Sequence, residues 1–222
     1  MTDRGGPGGV VTISSPYGAG GSVVGPAVAE RLGLPFLDRA IPLAVARRLA
    51  VPLDEVLAHD ERGPSGMERF LSAMARMVVP MGPDPLSPEV LDAPEELKAE
   101  TEAVLRHAAD TTGAVVLGRA GMVVLGGRPD TLCVRLDGPA EGRVARAMAD
   151  GLDRATAEAN LHHTDRAREA YVRTLYGAHQ DDARLYHLVV DSTVLDLDAC
   201  VEVIVAAARC RLPGRGDNVT NW

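Results

Sequence analysis

Residues 14–22 read Ser-Ser-Pro-Tyr-Gly-Ala-Gly-Gly-Ser and lie between a β-branched run and a helical pattern. A glycine-rich turn in that place lets successive backbone N–H groups converge on an anion, and the helix start adds favourable potential. The chemistry on offer is phosphate binding. Set against the phosphate-loop pattern G-x-x-x-x-G-K-[ST], Ser15 stands for the first glycine and Gly20 matches. Gly21 replaces the lysine, and Ser22 keeps the hydroxyl that could ligate Mg²⁺. Tyr17, Gly18, Ala19, Gly20, Gly21 and Ser22 are the candidate phosphate-binding residues, with Ser22 also the candidate metal ligand. A purely structural tight turn is the competing reading.

The missing lysine matters because Lys98 is the single lysine among 23 basic residues. It falls in a helical pattern, away from the loop in sequence. Unless the fold brings Lys98 back to the loop, the cationic partner of a bound phosphate must be arginine, whose planar fork suits phosphate oxygens bidentately. Arg119 directly follows an apolar run, at the strand end where open α/β sheets bind ligands. A structural ion pair is its plainer role. A second group is Asp165-Arg166-Ala167-Arg168, with Arg173 beyond. Arg166 and Arg173 are seven apart and share a helix face, whereas Arg168 is turned away from it. A solvated helix face with an Asp165–Arg168 i,i+3 pair is the alternative. His162 and His163 are adjacent and point in different directions on a helix, so they suggest surface positions rather than metal ligands. Asp181-Asp182 and Asp191-Ser192 suit turns and caps.

These groups need a scaffold. Apolar runs at Val10–Ile13, 113–117, 131–136 and 185–190, with a short one at Pro35–Leu37, read as strands. Helical patterns at 23–33, 39–50, 95–112, 139–149, 154–175 and 196–210 separate them. Strands alternating with helices predict an α/β domain with a parallel sheet covered on both faces. Residues 51–94 break the alternation with two short helical patterns (Leu53–His59 and Met67–Met77) and the proline-rich stretch MGPDPLSPEVLDAP, whose prolines argue against a continuous element. This helical insertion is read as a lid, a substrate-binding lobe or a dimer contact, which leaves room for a homodimer. Gly25-Pro26 strains the first helix pattern. Residues 1–8 and 213–222 read as flexible tails flanking one domain at 9–212.

The chain has 222 residues, of which 46% are hydrophobic and 24% charged, with a net charge of −8. That acidic balance argues against a dedicated duplex nucleic-acid binder, but leaves a small phosphorylated ligand open, because such a ligand needs only a local cluster of donors. The apolar stretch Val203–Ala208 is far short of the roughly 20 residues of a membrane span. No apolar leader is visible, and the three cysteines lack pairing or metal-ligand spacing. A reducing, cytoplasmic setting with no membrane and no nucleic-acid partner is the expectation.

The stretch VTISSPYGAGGSVVGPAVAERLGLPFLDRAI resembles the opening of the cytidylate kinase-like family, a branch of the P-loop nucleoside monophosphate kinases. GAVVLGRAGMVVL resembles the segment carrying that family's Gly-Arg-Asp, and LYHLVVDSTVLDLDACVEVIVAAAR its final strand and helix. The resemblance implies a three-layer P-loop NTPase-type fold and an ATP- and Mg²⁺-dependent transfer of phosphate to a nucleoside monophosphate, with CMP or dCMP the family default. It implies a mobile lid at about 150–180 whose arginines, Arg166, Arg168 and Arg173, clamp the transferring group. Asp38, Arg39 and Arg119 fall on the acceptor side. Ala120 stands where the family has Asp, and Asp38-Arg39 lacks the usual following serine and glycine, so the acceptor base stays open. A nucleotide-binding protein that has lost kinase activity is the alternative function.

Overall fold

A computed structural model describes residues 9–38 and 88–212. The sequence-predicted helix at 39–50, most of the 51–94 insertion, Arg39 and both tails lie outside the described residues. The elements in chain order are β1 (Val10–Ser14), α1 (Gly21–Leu32), β2 (Phe36–Leu37), α2 (Pro88–Thr111), β3 (Ala114–Leu117), α3 (Gly121–Val124), β4 (Thr131–Asp137), α4 (Ala140–Ala149), α5 (Arg154–Tyr176), β5 (Leu188–Asp191) and α6 (Leu197–Arg211). The five strands form one sheet in the order β2-β3-β1-β4-β5, and every pairing is parallel.

β1 is central and fully buried, and its apolar residues Val10, Val11 and Ile13 enter the cores on both faces of the sheet. Its side chains alternate between two cores. Val11 and Ile13 pack with Val24 and Val28 of α1 and Ile204 and Val205 of α6. Val10 faces the other way, onto Leu105 and Ala109 of α2 and Leu125 beyond α3. The result is a three-layer α/β fold of the P-loop type, with β1 delivering the glycine-rich loop at its carboxyl end.

Several boundaries moved for identifiable reasons. α1 runs through Pro26, and α2 runs through Pro94 after starting on Pro88. Pro88 occupies the first helical position, where the missing N–H costs nothing. Each interior proline removes one i→i−4 bond, a local defect that did not end either helix. The expectation that the 81–94 prolines forbid a continuous element is therefore corrected for 88–94. The predicted strand at 185–190 begins late, because Ala183–Leu185 form a 3₁₀ turn capped by Asp182.

α1 ends on Gly33 at φ 64°, whose N–H returns to Glu30 while that of Leu34 returns to Ala29. α5 and α6 start on aspartate caps, Asp153 to the Thr156 N–H and Asp196 to the Ala199 N–H. Lys98 sits on α2 with its ammonium 5.2 Å from the centre of the Tyr176 ring, tying α2 to the end of α5.

Before β5, His187 bonds to Cys133 on β4 twice, its N–H to the carbonyl and its Nδ1 accepting the Cys133 N–H at 2.9 Å. Burial, then the charge of Arg211, pushes the His187 imidazole below its ordinary value. The unfolded chain therefore binds this proton more readily, so stability rises with pH from below the depressed native value up to the ordinary histidine range. Equilibrium unfolding followed from pH 5 to pH 7.5 is expected to show this rise. In His187→Gln, which keeps an acceptor for Cys133, the rise should shrink.

Candidate functional site

The loop between β1 and α1 is shaped by glycines. Gly18 has φ 74° and Gly20 φ 80°, conformations that L side chains rarely adopt. There is also no room for a side chain: a Cβ on Gly18 would stand 2.4 Å from the Arg143 carbonyl oxygen, and one on Gly20 2.5 Å from Leu197 Cδ2. Among the described residues, the N–H groups of Gly18, Gly20, Gly21 and Ser22 have no hydrogen-bond partner, whereas Ala19 N–H returns to Pro16. The Tyr17 N–H is taken by the Asp165 carboxylate at 2.8 Å. Four free donors thus ring the start of α1, and the Ser22 side chain is exposed beside them.

The loop's carbonyls are fastened from outside by arginines. Arg168 Nη1 donates to Ser15 at 2.7 Å, Arg143 Nη1 to Tyr17 at 2.9 Å and Arg146 Nη1 to Gly18 at 3.0 Å. Arg143 also pairs with Asp165 at 2.7 Å, closing a ring of contacts around the Tyr17 peptide. Arg146 also donates to the Ser192 carbonyl, and the Ser192 hydroxyl donates to Ala19 at 2.9 Å. Ser192 is fully buried. It is thus a strut of the loop, more than the turn residue its sequence suggested.

A cavity of about 640 Å³ opens over this loop, within the usual size of small-molecule sites. Its wall includes Gly18, Gly20, Gly21 and Ser22 of the loop together with Asp38, Arg119, Arg146 and Arg168. Arg119 arrives there through an unusual backbone. Gly118, Arg119 and Ala120 have φ values of 72°, 59° and 52°, three successive left-handed residues at the end of β3. Such strain costs on the order of 1 kcal/mol or more per non-glycine residue and persists only where surroundings enforce it. It aims Arg119 Nη2 at the Asp38 carbonyl, 3.3 Å away. Burial pushes the Arg119 guanidinium below its ordinary range, with Tyr171 and Asp38 opposing that shift. An arginine starts so high that it keeps its charge at neutral pH.

The sequence-predicted residues therefore divide. Tyr17 to Gly18, Gly20 to Ser22, Asp38, Arg119 and Arg168 line one cavity. Ala19 is buried beneath it. Arg166 and Arg173 share the opposite face of α5, as their spacing implies, and line a neighbouring cavity instead. Lys98 stays over Tyr176 and does not line either cavity. Arg143 and Arg146 were missed. The available signal was two arginines three apart on the helix just after β4, at the same sheet edge that singled out Arg119. His162 and His163 are exposed, and the described residues hold no cluster of His, Cys, Asp or Glu fit for a metal ion.

The cytidylate kinase-like family profile matches residues 10–194 of the chain. The chain belongs to the cytidylate kinase-like family. Its fold is similar to that of a crystal structure from Eubacterium ventriosum ATCC 27560, described as an uncharacterized protein, at 17% identity and TM-score 0.62, covering 91% of this chain and 99% of that one. Deoxyadenosine kinase from M. mycoides with bound dATP matches at 12% identity and TM-score 0.47, covering 90% and 99% of the two chains. Shikimate kinase from Acinetobacter baumannii in complex with shikimate matches at 14% identity and TM-score 0.41, covering 90% and 94%. No curated protein matches the chain. Among the described residues, no helix of this family member is long and apolar enough to cross a membrane.

One result follows directly from the loop's packing. In Gly18→Ala the methyl meets the Arg143 backbone at a φ that disfavours it. A loss of about 2–3 kcal/mol in stability, or a displaced loop, is expected. Thermal unfolding and nucleotide titration of the variant check this.

Proposed function

We propose that this cytidylate kinase-like chain transfers the γ-phosphoryl group of Mg-ATP to a small nucleotide, with CMP or dCMP the first acceptors to try. The supporting observation is a single cavity lined by the four loop residues with free N–H groups and by Asp38, Arg119 and Arg168. In this reading the N–H groups of Gly18, Gly20, Gly21 and Ser22 hold the donor phosphates at the start of α1. The exposed Ser22 hydroxyl suits a hard cation such as Mg²⁺, which would neutralise phosphate charge when bound. Arg168 and Arg146 take the place of the loop lysine. Arg119, held rigidly by its strained backbone, orients the acceptor beside Asp38. Catalysis is then mostly positioning and charge stabilisation by preset donors.

The competing reading, a nucleotide-binding protein without turnover, is favoured by Gly21 in place of the lysine. Incubating the protein with Mg-ATP and a panel of nucleoside monophosphates, and following diphosphate formation, separates the two. A diphosphate formed from one acceptor supports transfer. Bound ATP with every acceptor unchanged overturns it.

A further inference from the structure

A second cavity, about 710 Å³, lies beside the first and shares only Pro16 and Gln180 with it. Four arginines and four carboxylates line it, but the carboxylates are already engaged. Arg135 holds Asp137 at 2.8 Å and Asp181 at 2.6 Å. Asp165 accepts from Arg143 and from the Tyr17 N–H. Glu169 accepts from the Gln180 N–H and contacts His179 Nδ1 at 2.8 Å.

The arginines are not all engaged. Arg143 is 9% exposed. It spends Nε on the Gly138 carbonyl and Nη1 on Tyr17 and Asp165, so its Nη2 has no partner among the described residues. Arg166 and Arg173, seven residues apart on one face of α5, line the same cavity. Neither makes a hydrogen bond or ion pair within the described residues. Three guanidinium groups with unspent N–H donors therefore meet in one concavity whose acids are satisfied internally.

We propose that this cavity is a second anion site, in which Arg143, Arg166 and Arg173 bind a phosphate-class anion apart from the phosphate-loop cavity. Guanidinium forks match phosphate oxygens in charge and geometry. The site touches the loop's scaffold, because Arg143 and Asp165 together hold the carbonyl and the N–H of Tyr17. An anion that draws Arg143 toward Arg166 and Arg173 would loosen that grip. The occupant is thereby placed to tune the loop without entering it. The ligand could be a free phosphate-type anion or the phosphate chain of a second nucleotide.

The test is calorimetric titration of the full chain with inorganic pyrophosphate, alone and with a non-hydrolysable ATP analogue present. Pyrophosphate should bind the wild type, and Arg166→Ala/Arg173→Ala should weaken it tenfold or more. The analogue's first equivalent should keep its affinity within about twofold in that variant. A lysine pair, Arg166→Lys/Arg173→Lys, should retain part of the pyrophosphate affinity, which separates lost charge from a damaged fold. Pyrophosphate binding that persists at saturating analogue identifies a free anion as the ligand. Two equivalents of analogue in the wild type and one in the double alanine variant identify a nucleotide. The proposal is overturned by no pyrophosphate binding, by equal affinity in the double variant, or by displacement with one equivalent of analogue. Because the deciding arm reads pyrophosphate on α5, it stands even if the protein turns over no nucleotide.

Discussion

Replacing Arg168 with alanine is expected to cut phosphoryl transfer by roughly 10²–10³, with the fold intact. Arg168 lines the cavity beside the loop and already lies 2.7 Å from the Ser15 carbonyl. Its charge is the nearest substitute from α5 for the lysine that Gly21 lacks. Loss of one preorganised donor to developing charge typically costs that factor. If the loop N–H groups hold the donor phosphates as proposed, the loss should fall mainly on kcat. Arg168→Lys keeps the charge but loses the fork, so it should recover only part of the rate. Steady-state kinetics of the three proteins, with circular dichroism as a check on folding, decide the matter. A rate in Arg168→Ala equal to wild type would remove α5 from the transfer step.

Restoring the lysine should make matters worse. A Cβ on Gly21 would lie 2.6 Å from Ser15 Cβ and 2.7 Å from its Oγ, with Leu117 Cδ1 at 3.0 Å. The start of α1 is packed directly onto the loop's entry and the end of β3, so any side chain must push the loop open. Gly21→Lys is therefore expected to lose at least tenfold in nucleotide affinity and to gain no rate. Gly21→Ala should show most of the same loss, because the obstruction begins at the first carbon. Equilibrium binding of the ATP analogue to both variants checks this. Enhanced turnover in Gly21→Lys would mean that the loop tolerates a lysine and that arginine substitution is incidental.

These two expectations show which features could be read from residues alone. The alternation of apolar runs with helical periods was enough for the parallel sheet, because a strand buried on both faces, as Val10–Ser14 is, draws mainly on apolar residues such as Val10, Val11 and Ile13. The phosphate loop was legible through its glycines, and helical spacing on α5 already separated Arg168 from Arg166 and Arg173. What could not be read was contact across the sheet edge. The spacing of Arg143 and Arg146 just after β4 could place them at that edge, but nothing local marks them or Ser192 as fasteners of a loop more than 120 positions earlier. The steric block at Gly21 was equally hidden, since it depends on Ser15 and Leu117 converging in three dimensions. The strain at Arg119 and Ala120 was invisible for a different reason: neither residue type advertises a left-handed backbone.

The most direct test of the central reading follows the label in ATP carrying ³²P at the γ position, mixed with excess enzyme, Mg²⁺ and each nucleoside monophosphate in a single turnover. The label is expected to appear in a nucleoside diphosphate for one acceptor class, and this appearance to fall by roughly 10²–10³ in Arg168→Ala. Label remaining in ATP for every acceptor, or released only as inorganic phosphate, would contradict it.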